Sequence, residues 1–184
     1  MREVLEQRHD DFVVVLENVH DPHNASAILR SCDAFGVGRV ALVYTNQVFP
    51  EISRGVAAQV EKWLQIERYD TVEACVDALH RDQLKVYATR LTDEANDYLT
   101  VDWREPSAIV LGNEHAGCSE AMLTQCDGSV IIPMRGFAQS LNVSVAAAVI
   151  LAESARQRRG LTHEWTEAKA MQETAWITRE SGRR

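Results

Sequence analysis

Apolar and polar positions along the chain fall into blocks that alternate between two periods. Phe12-Val13-Val14-Val15-Leu16 is a continuous apolar run of strand-forming residues, the pattern of a parallel strand buried on both faces. Asn24, read as an N-cap, opens a helix whose Ile28, Cys32 and Phe35 share one face, and Gly36 stops it. Gly38 to Tyr44 gives a second strand, and Pro50 or a neighbour begins a helix that runs to about Lys62. Leu64 to Glu67 reads as a short strand, Thr71 caps a helix to about His80, and Leu84–Thr89 and Ser107–Leu111 are further strands. A helix near Ser119 to Gln125 precedes Val130-Ile131-Ile132, a strand closed by Pro133. Ser140, as N-cap, then starts a helix from Leu141 to about Gln157 that is rich in small residues. Strands alternating with helices at this spacing predict an α/β three-layer sandwich around a mainly parallel sheet.

Past Gly160 the character changes. Leu161, Trp165, Ala168, Met171 and Ala175 keep a helical spacing, so residues 160–184 read as an amphipathic tail on a domain of residues 1–159. The alternative is a frayed terminus. At 184 residues, 46% hydrophobic and 25% charged, the chain fits one ordinary globular domain. No apolar run reaches the length of a membrane span, the first residues do not form a signal peptide, and four cysteines stand without a CxxC pair. Together these predict a cytoplasmic protein with free thiols. The net charge of −8 argues against a nucleic-acid partner, although Arg156–Arg184 holds seven basic against four acidic residues. Any RNA must meet a local basic surface.

Gly36-Val37-Gly38 imitates a dinucleotide fingerprint in the wrong order, closing a helix and opening a strand. His20 and His23, like Cys118 and Cys126, lack further ligands at useful spacing, so no metal is expected. The polar residues at element ends carry more. Asn24 and Arg30 follow the first strand, Gly112-Asn113-Glu114 ends another, and Ser140, Asn142 and Ser144 crowd one helix start. Open α/β sheets place ligands at such strand ends. A capped core helix and a plain strand exit remain the alternatives.

Three stretches, Asn18–Arg30 (NVHDPHNASAILR), Leu111–Gly117 (LGNEHAG) and Ile132–Val149 (IPMRGFAQSLNVSVAAAV), resemble the ordered motifs of the SpoU/TrmH branch of the SPOUT methyltransferases. The resemblance covers about Asp11 to Arg158 and is greatest with the TrmH type, which methylates a guanosine 2'-hydroxyl of tRNA. It implies a deep trefoil knot near the C-terminal end of the sheet, a fold that generic rules against knots would not predict. It also implies S-adenosylmethionine as cofactor, bound at Thr89, Leu111, Gly112, Ile132, Met134 and Leu141, and catalytic roles for Arg30, Asn24, Glu114, Ser140 and Asn142. tRNA is the implied substrate, with a D-loop guanosine as acceptor, and rRNA is second. A non-catalytic RNA-binding protein of the same fold is the alternative from another class. A homodimer is expected through the helices that start near Ser140 and Asn24. Val143, Ala146, Ala147, Ile150 and Leu151 form one apolar face of the former, and Val145 and Val149 extend it to another.

Overall fold

In the computed structural model, residues 1–45, 48–49, 60–161 and 165–181 are described. The helix expected from Pro50 falls outside them except for its end, a 3-10 turn at Val60–Trp63. Seven strands form one sheet: β1 (His9–Glu17), β2 (Val37–Val43), β3 (Gln65–Tyr69), β4 (Lys85–Thr89), β5 (Asn96–Asp97), β6 (Ser107–Leu111) and β7 (Gly128–Ile131). Their order is β3-β2-β1-β6-β4-β7-β5, and every pairing is parallel. The helices are α1 (Arg2–Glu6), α2 (Pro22–Ala34), α3 (Val72–Arg81), α4 (Glu120–Gln125), α5 (Val143–Gln157) and α6 (Glu167–Ser181).

The period of two along β1 divides the core. Phe12, Val14 and Leu16 pack with Ile28, Leu29, Ile150 and Leu151 of α2 and α5, whereas Val13 and Val15 pack with Val76, Leu79 and Met122 of α3 and α4. Both faces of the strand are covered, which is why its sequence is a run and not an alternation. The three-layer expectation holds. Gly36 closes α2 at φ +81°, where a side chain would be strained and its Cβ would sit 2.9 Å from the Gln7 carbonyl oxygen.

Two helix starts differ from the expectation. α2 is capped by Asp21, whose carboxylate accepts from the His23 N–H at 2.8 Å, with Pro22 at the first helical position. Asn24 therefore lies inside the first turn with its side chain free for other work. α5 is capped by Asn142, which accepts from the Ser144 N–H at 2.8 Å, not by Ser140. Residues 132–142 form an irregular loop, in which Ser140 is exposed. Helix α1 and the two-residue β5 carry no periodic signal and are additions to the expected elements.

The tail docks, but by another face. Met171 is 64% exposed, and Ala175 and Leu161 are exposed too. Lys169 and Trp176, seven positions apart, are buried instead. Trp176 meets Trp63 edge to face at 5.0 Å, and the Lys169 ammonium pairs with Asp10 and donates to the Arg8 carbonyl oxygen, both at 3.3 Å. A buried ammonium is tolerated because both partners are fixed on β1 and the turn before it. Arg8 and Arg158 are interior cations as well, paired with Asp33 and Asp11 respectively. Two of the seven basic residues counted from Arg156 onward, Arg158 and Lys169, are thus enclosed.

Candidate active site

A cavity of about 420 Å³ opens at the carboxyl ends of β4, β6 and β7, a size typical of small-molecule sites. Thr89, Leu111, Gly112, Ile132, Met134 and Leu141, the six residues expected to hold a cofactor, all line it, with Glu114 and Ser140 at its rim. The wall mixes apolar side chains, such as Val130 and Ile150, with polar ones, among them Arg90, Asn113 and Glu120. A Cβ on Gly112 would lie 2.2 Å from the carbonyl carbon of Gly117 and 2.3 Å from the Cys118 nitrogen, so no other residue fits there. The Thr89 hydroxyl donates to the Val110 carbonyl oxygen at 2.9 Å, which ties the end of β4 to β6. Burial pushes the Cys118 thiol up to about 12, so it stays protonated and serves as apolar wall.

The loop after β6 is built by Asn113. Its amide donates to the Asn18 carbonyl oxygen at 2.9 Å, and its side-chain oxygen accepts from His115 and Ala116 N–H at 3.0 and 3.1 Å. A backbone pair between Asn113 and Gly117 closes the turn. From below, the buried Glu17 accepts from the Ser119 N–H and hydroxyl at 3.0 and 2.5 Å, which fixes the start of α4. The loop so held aims Glu114 at the start of α2.

There the three sequence stretches meet. Glu114 Oε1 accepts from Asn24 Nδ2 and the Asp21 N–H, both at 3.0 Å, and Oε2 accepts from the His20 N–H at 2.9 Å. Asn142 Nδ2 donates to Asn24 Oδ1 at 3.0 Å, and the Ser144 hydroxyl donates to Asn142 Oδ1 at 2.6 Å. The polarity of this chain is determined. A carboxylate only accepts, so Asn24 must turn its NH₂ toward Glu114 and its oxygen toward Asn142. Asn142 must then present its NH₂ on that side and its oxygen to Ser144. Burial alone would raise the Glu114 carboxyl, but the donors from Asn24, His20 and Asp21 outweigh it and hold it below the usual carboxylate value. Glu114 is therefore an anion that orients others, with both oxygens occupied.

Arg30 is not brought to this cavity. It is exposed on α2, six positions after Asn24, which means about 240° of net rotation and about 9 Å of rise. Asn24, Glu114 and Asn142 are joined by hydrogen bonds and Ser140 lines the adjoining cavity, whereas Arg30 projects from another face of α2. The sequence places Asn18, Asn113 and Ser144 within these stretches but assigns them no role, and the structure shows Asn113 holding its loop to Asn18 and Ser144 bonded to Asn142. Asn18 has φ +50°, a conformation that asparagine tolerates better than most residues, and an asparagine ending a strand run was the available signal.

The arrangement has counterparts. Residues 11–152 match the model of the SpoU rRNA Methylase family. A tRNA (guanosine(18)-2'-O)-methyltransferase of Thermus thermophilus is 44% identical over 158 residues, 86% of this chain and 81% of the relative. The crystal structure of the Aquifex aeolicus TrmH/SpoU tRNA modifying enzyme superposes with a TM-score of 0.88 at 34% identity, covering 96% of this chain and 93% of that one. The SpoU methyltransferase AviRb from Streptomyces viridochromogenes, in complex with AdoMet, gives 0.73 at 30% identity, covering 82% and 62%. With the cavity at the strand ends and the three joined motifs, these matches establish that the chain belongs to the SpoU methylase family.

Proposed function

We propose that the protein is an S-adenosylmethionine-dependent tRNA 2'-O-methyltransferase that acts on guanosine 18 of the D-loop. The observation that carries this is the junction of Glu114, Asn24 and Asn142 at the rim of a cavity whose wall cannot accept a Cβ at Gly112. S-adenosylmethionine, when bound, supplies an electrophilic methyl group on a sulfonium. The residues present fit it: Leu111, Gly112, Ile132, Met134 and Leu141 would hold its apolar and backbone-recognised parts, with Thr89 beside them.

What this chain contributes is position and polarity. Glu114 fixes Asn24, and Asn24 fixes Asn142, so that the starts of α2 and α5 are locked together next to the cavity that Ser140 lines. Aligning a hydroxyl with a methyl donor is worth several orders of magnitude in rate. Arg30 cannot serve as a base, because guanidinium stays protonated. Its role is to hold the neighbouring phosphate and stabilise developing alkoxide charge. As Arg30 faces away from its own cavity, it serves a site at the interface of a homodimer formed by α2 and α5. The exposed Val145 on α5 supports that interface.

We also propose that the chain carries a deep trefoil knot near the C-terminal end of the sheet. The chain leaves β7 and returns across the sheet to pack α5 on α2, and the end of α5 is tied under residues 101–105 by Gln157 and Arg158. Residues 1–159 then form the catalytic domain and 160–184 a docked tail. Among the described residues no helix is long and apolar enough to cross a membrane, and a cytoplasmic location accords with a tRNA substrate. rRNA is the second reading, favoured by the family's own description.

The test is transfer of labelled methyl from S-adenosylmethionine to unmodified tRNA and rRNA, with the product nucleotide mapped. Methyl on a tRNA guanosine 2'-oxygen is expected. Cofactor binding without transfer to any RNA would point to the non-catalytic reading. Sedimentation at micromolar concentration is expected to give a dimer, and a fully active 20.6 kDa monomer would overturn the shared site.

A further inference from the structure

Phe137 is the most exposed large apolar side chain among the described residues, at 108% of its reference surface. A lone exposed apolar residue is ordinary. Its place is what sets this one apart. Residues 135–140 are all exposed, and they form the outer part of the loop between β7 and α5. Both feet of that loop are in the site: Met134 and Ser140 line the cavity, and Asn142 is tied to Asn24 at 3.0 Å. The ring therefore stands on the outer part of the loop that borders the cavity, between Met134 and Ser140 of its wall, and the loop's far end is tied to Asn24 through Asn142. Arg135, also exposed, lies two positions before it.

We propose that Phe137 is a stacking platform for the base of the acceptor nucleotide, with Arg135 beside it for that nucleotide's backbone. This rests on the reading of the protein as an RNA ribose methyltransferase. A 2'-hydroxyl inside a base-stacked strand cannot enter a recessed cavity unless its nucleotide is splayed from its neighbours, and a base taken out of its stack needs a flat apolar surface in exchange. An aromatic ring beside a guanidinium is the usual device for single-stranded bases. The charge balance points the same way: at −8 the protein has little general attraction for phosphate, so contact with a base carries more of the affinity.

The experiment measures binding of fluorescent unmodified tRNA to the full chain by anisotropy, for wild type, Phe137→Ala, Phe137→Leu and Phe137→Trp. Phe137→Ala should weaken binding roughly 5- to 100-fold and Phe137→Leu nearly as much, with Phe137→Trp close to wild type. With tRNA abasic at position 18, wild type and Phe137→Ala should bind alike. Calorimetric affinity for S-adenosylmethionine and the sedimentation coefficient should stay unchanged in all variants. Equal tRNA affinity across the series overturns the proposal. So does full rescue by leucine, which means apolar contact without stacking, or loss of self-association in Phe137→Ala, which means that the ring covers a second copy. If wild type binds tRNA through Phe137 but transfers no methyl, the functional reading fails and the platform stands. If transfer occurs and Phe137→Ala leaves KM for tRNA unchanged, the reverse holds.

Discussion

Replacing Glu114 by glutamine tests the network at its source. The change keeps shape and removes charge, and the surrounding donors determine its effect. Three N–H donors converge on the carboxylate, two on Oε1 and one on Oε2. An amide has one acceptor oxygen, so its better orientation keeps Asn24 and Asp21 and turns an NH₂ toward the His20 N–H, which is left without an acceptor. Hydrogen bonds to a charged group contribute ~1.5–3 kcal/mol each and neutral ones ~0.5–1.5. Losing one and weakening two comes to about 4 kcal/mol gross. Because Glu114 is only partly buried, water recovers about half, leaving about 2 kcal/mol, or a fall in Tm of about 4–8 °C for a chain of this size. Since Asn24 is no longer held in one orientation, kcat should drop by about 100-fold, with S-adenosylmethionine affinity changed little. The pH dependence carries the sign. The folded carboxyl titrates below its ordinary value of 4.5, so its contribution is present above that pH and is lost as pH falls through the folded pKa. Calorimetric melts should show the gap between wild type and Glu114→Gln at pH 7 closing progressively below pH 4.5. A variant with unchanged Tm and turnover, or a gap that does not vary with pH, would refute the reasoning.

Gly112→Ala forces a Cβ to 2.2 Å from Gly117, so the loop must move. Overpacking of this kind costs about 1–3 kcal/mol, and calorimetry should show cofactor affinity reduced at least tenfold. Arg30→Ala, at an exposed position, should leave Tm and S-adenosylmethionine binding intact while methyl transfer falls at least about 100-fold; near-wild-type turnover would remove the arginine from the chemistry. Leu141→Arg places a charge in the cavity wall and should abolish cofactor binding without unfolding the protein, as judged by calorimetry alongside circular dichroism.

Features legible in the sequence are the local ones. The run from Phe12 to Leu16 announces a doubly covered strand because burial on both faces removes any need for polar positions. Asn24, Glu114 and Asn142 were legible through their motifs and are joined by hydrogen bonds, whereas Ser140 only lines the cavity and Arg30, implied by the same motifs, stands apart from it. Asp21 as cap of α2 was legible too, since an aspartate before a proline is a cap followed by a first helical residue, but Asn24 drew the assignment. Other features depend on tertiary contact. The demand for glycine at position 112 exists only because residues 117 and 118 fold back on it. The burial of Lys169 defies hydrophobic patterning, because an ammonium becomes an interior residue only when Asp10 and a carbonyl oxygen stand ready for it. β5 is two residues long and exists as a strand only because β7 offers it an edge.

The enclosed cations also govern how the protein answers to salt. Arg8, Arg158 and Lys169 are withdrawn from the 19 lysines and arginines of the chain and matched by Asp33, Asp11 and Asp10. They condense no phosphate and release no counterions. Each phosphate that a protein does neutralise adds roughly 0.7–0.9 to the slope of log affinity against log salt. Each enclosed cation takes one aspartate out of play with it, so the remaining 16 lysines and arginines act on a surface that keeps the net charge of −8, and that slope should be shallow. On the proposed function, the RNA should then be selected more by the fit of its fold than by charge, and raising the salt should weaken its binding less than it weakens that of strongly basic proteins.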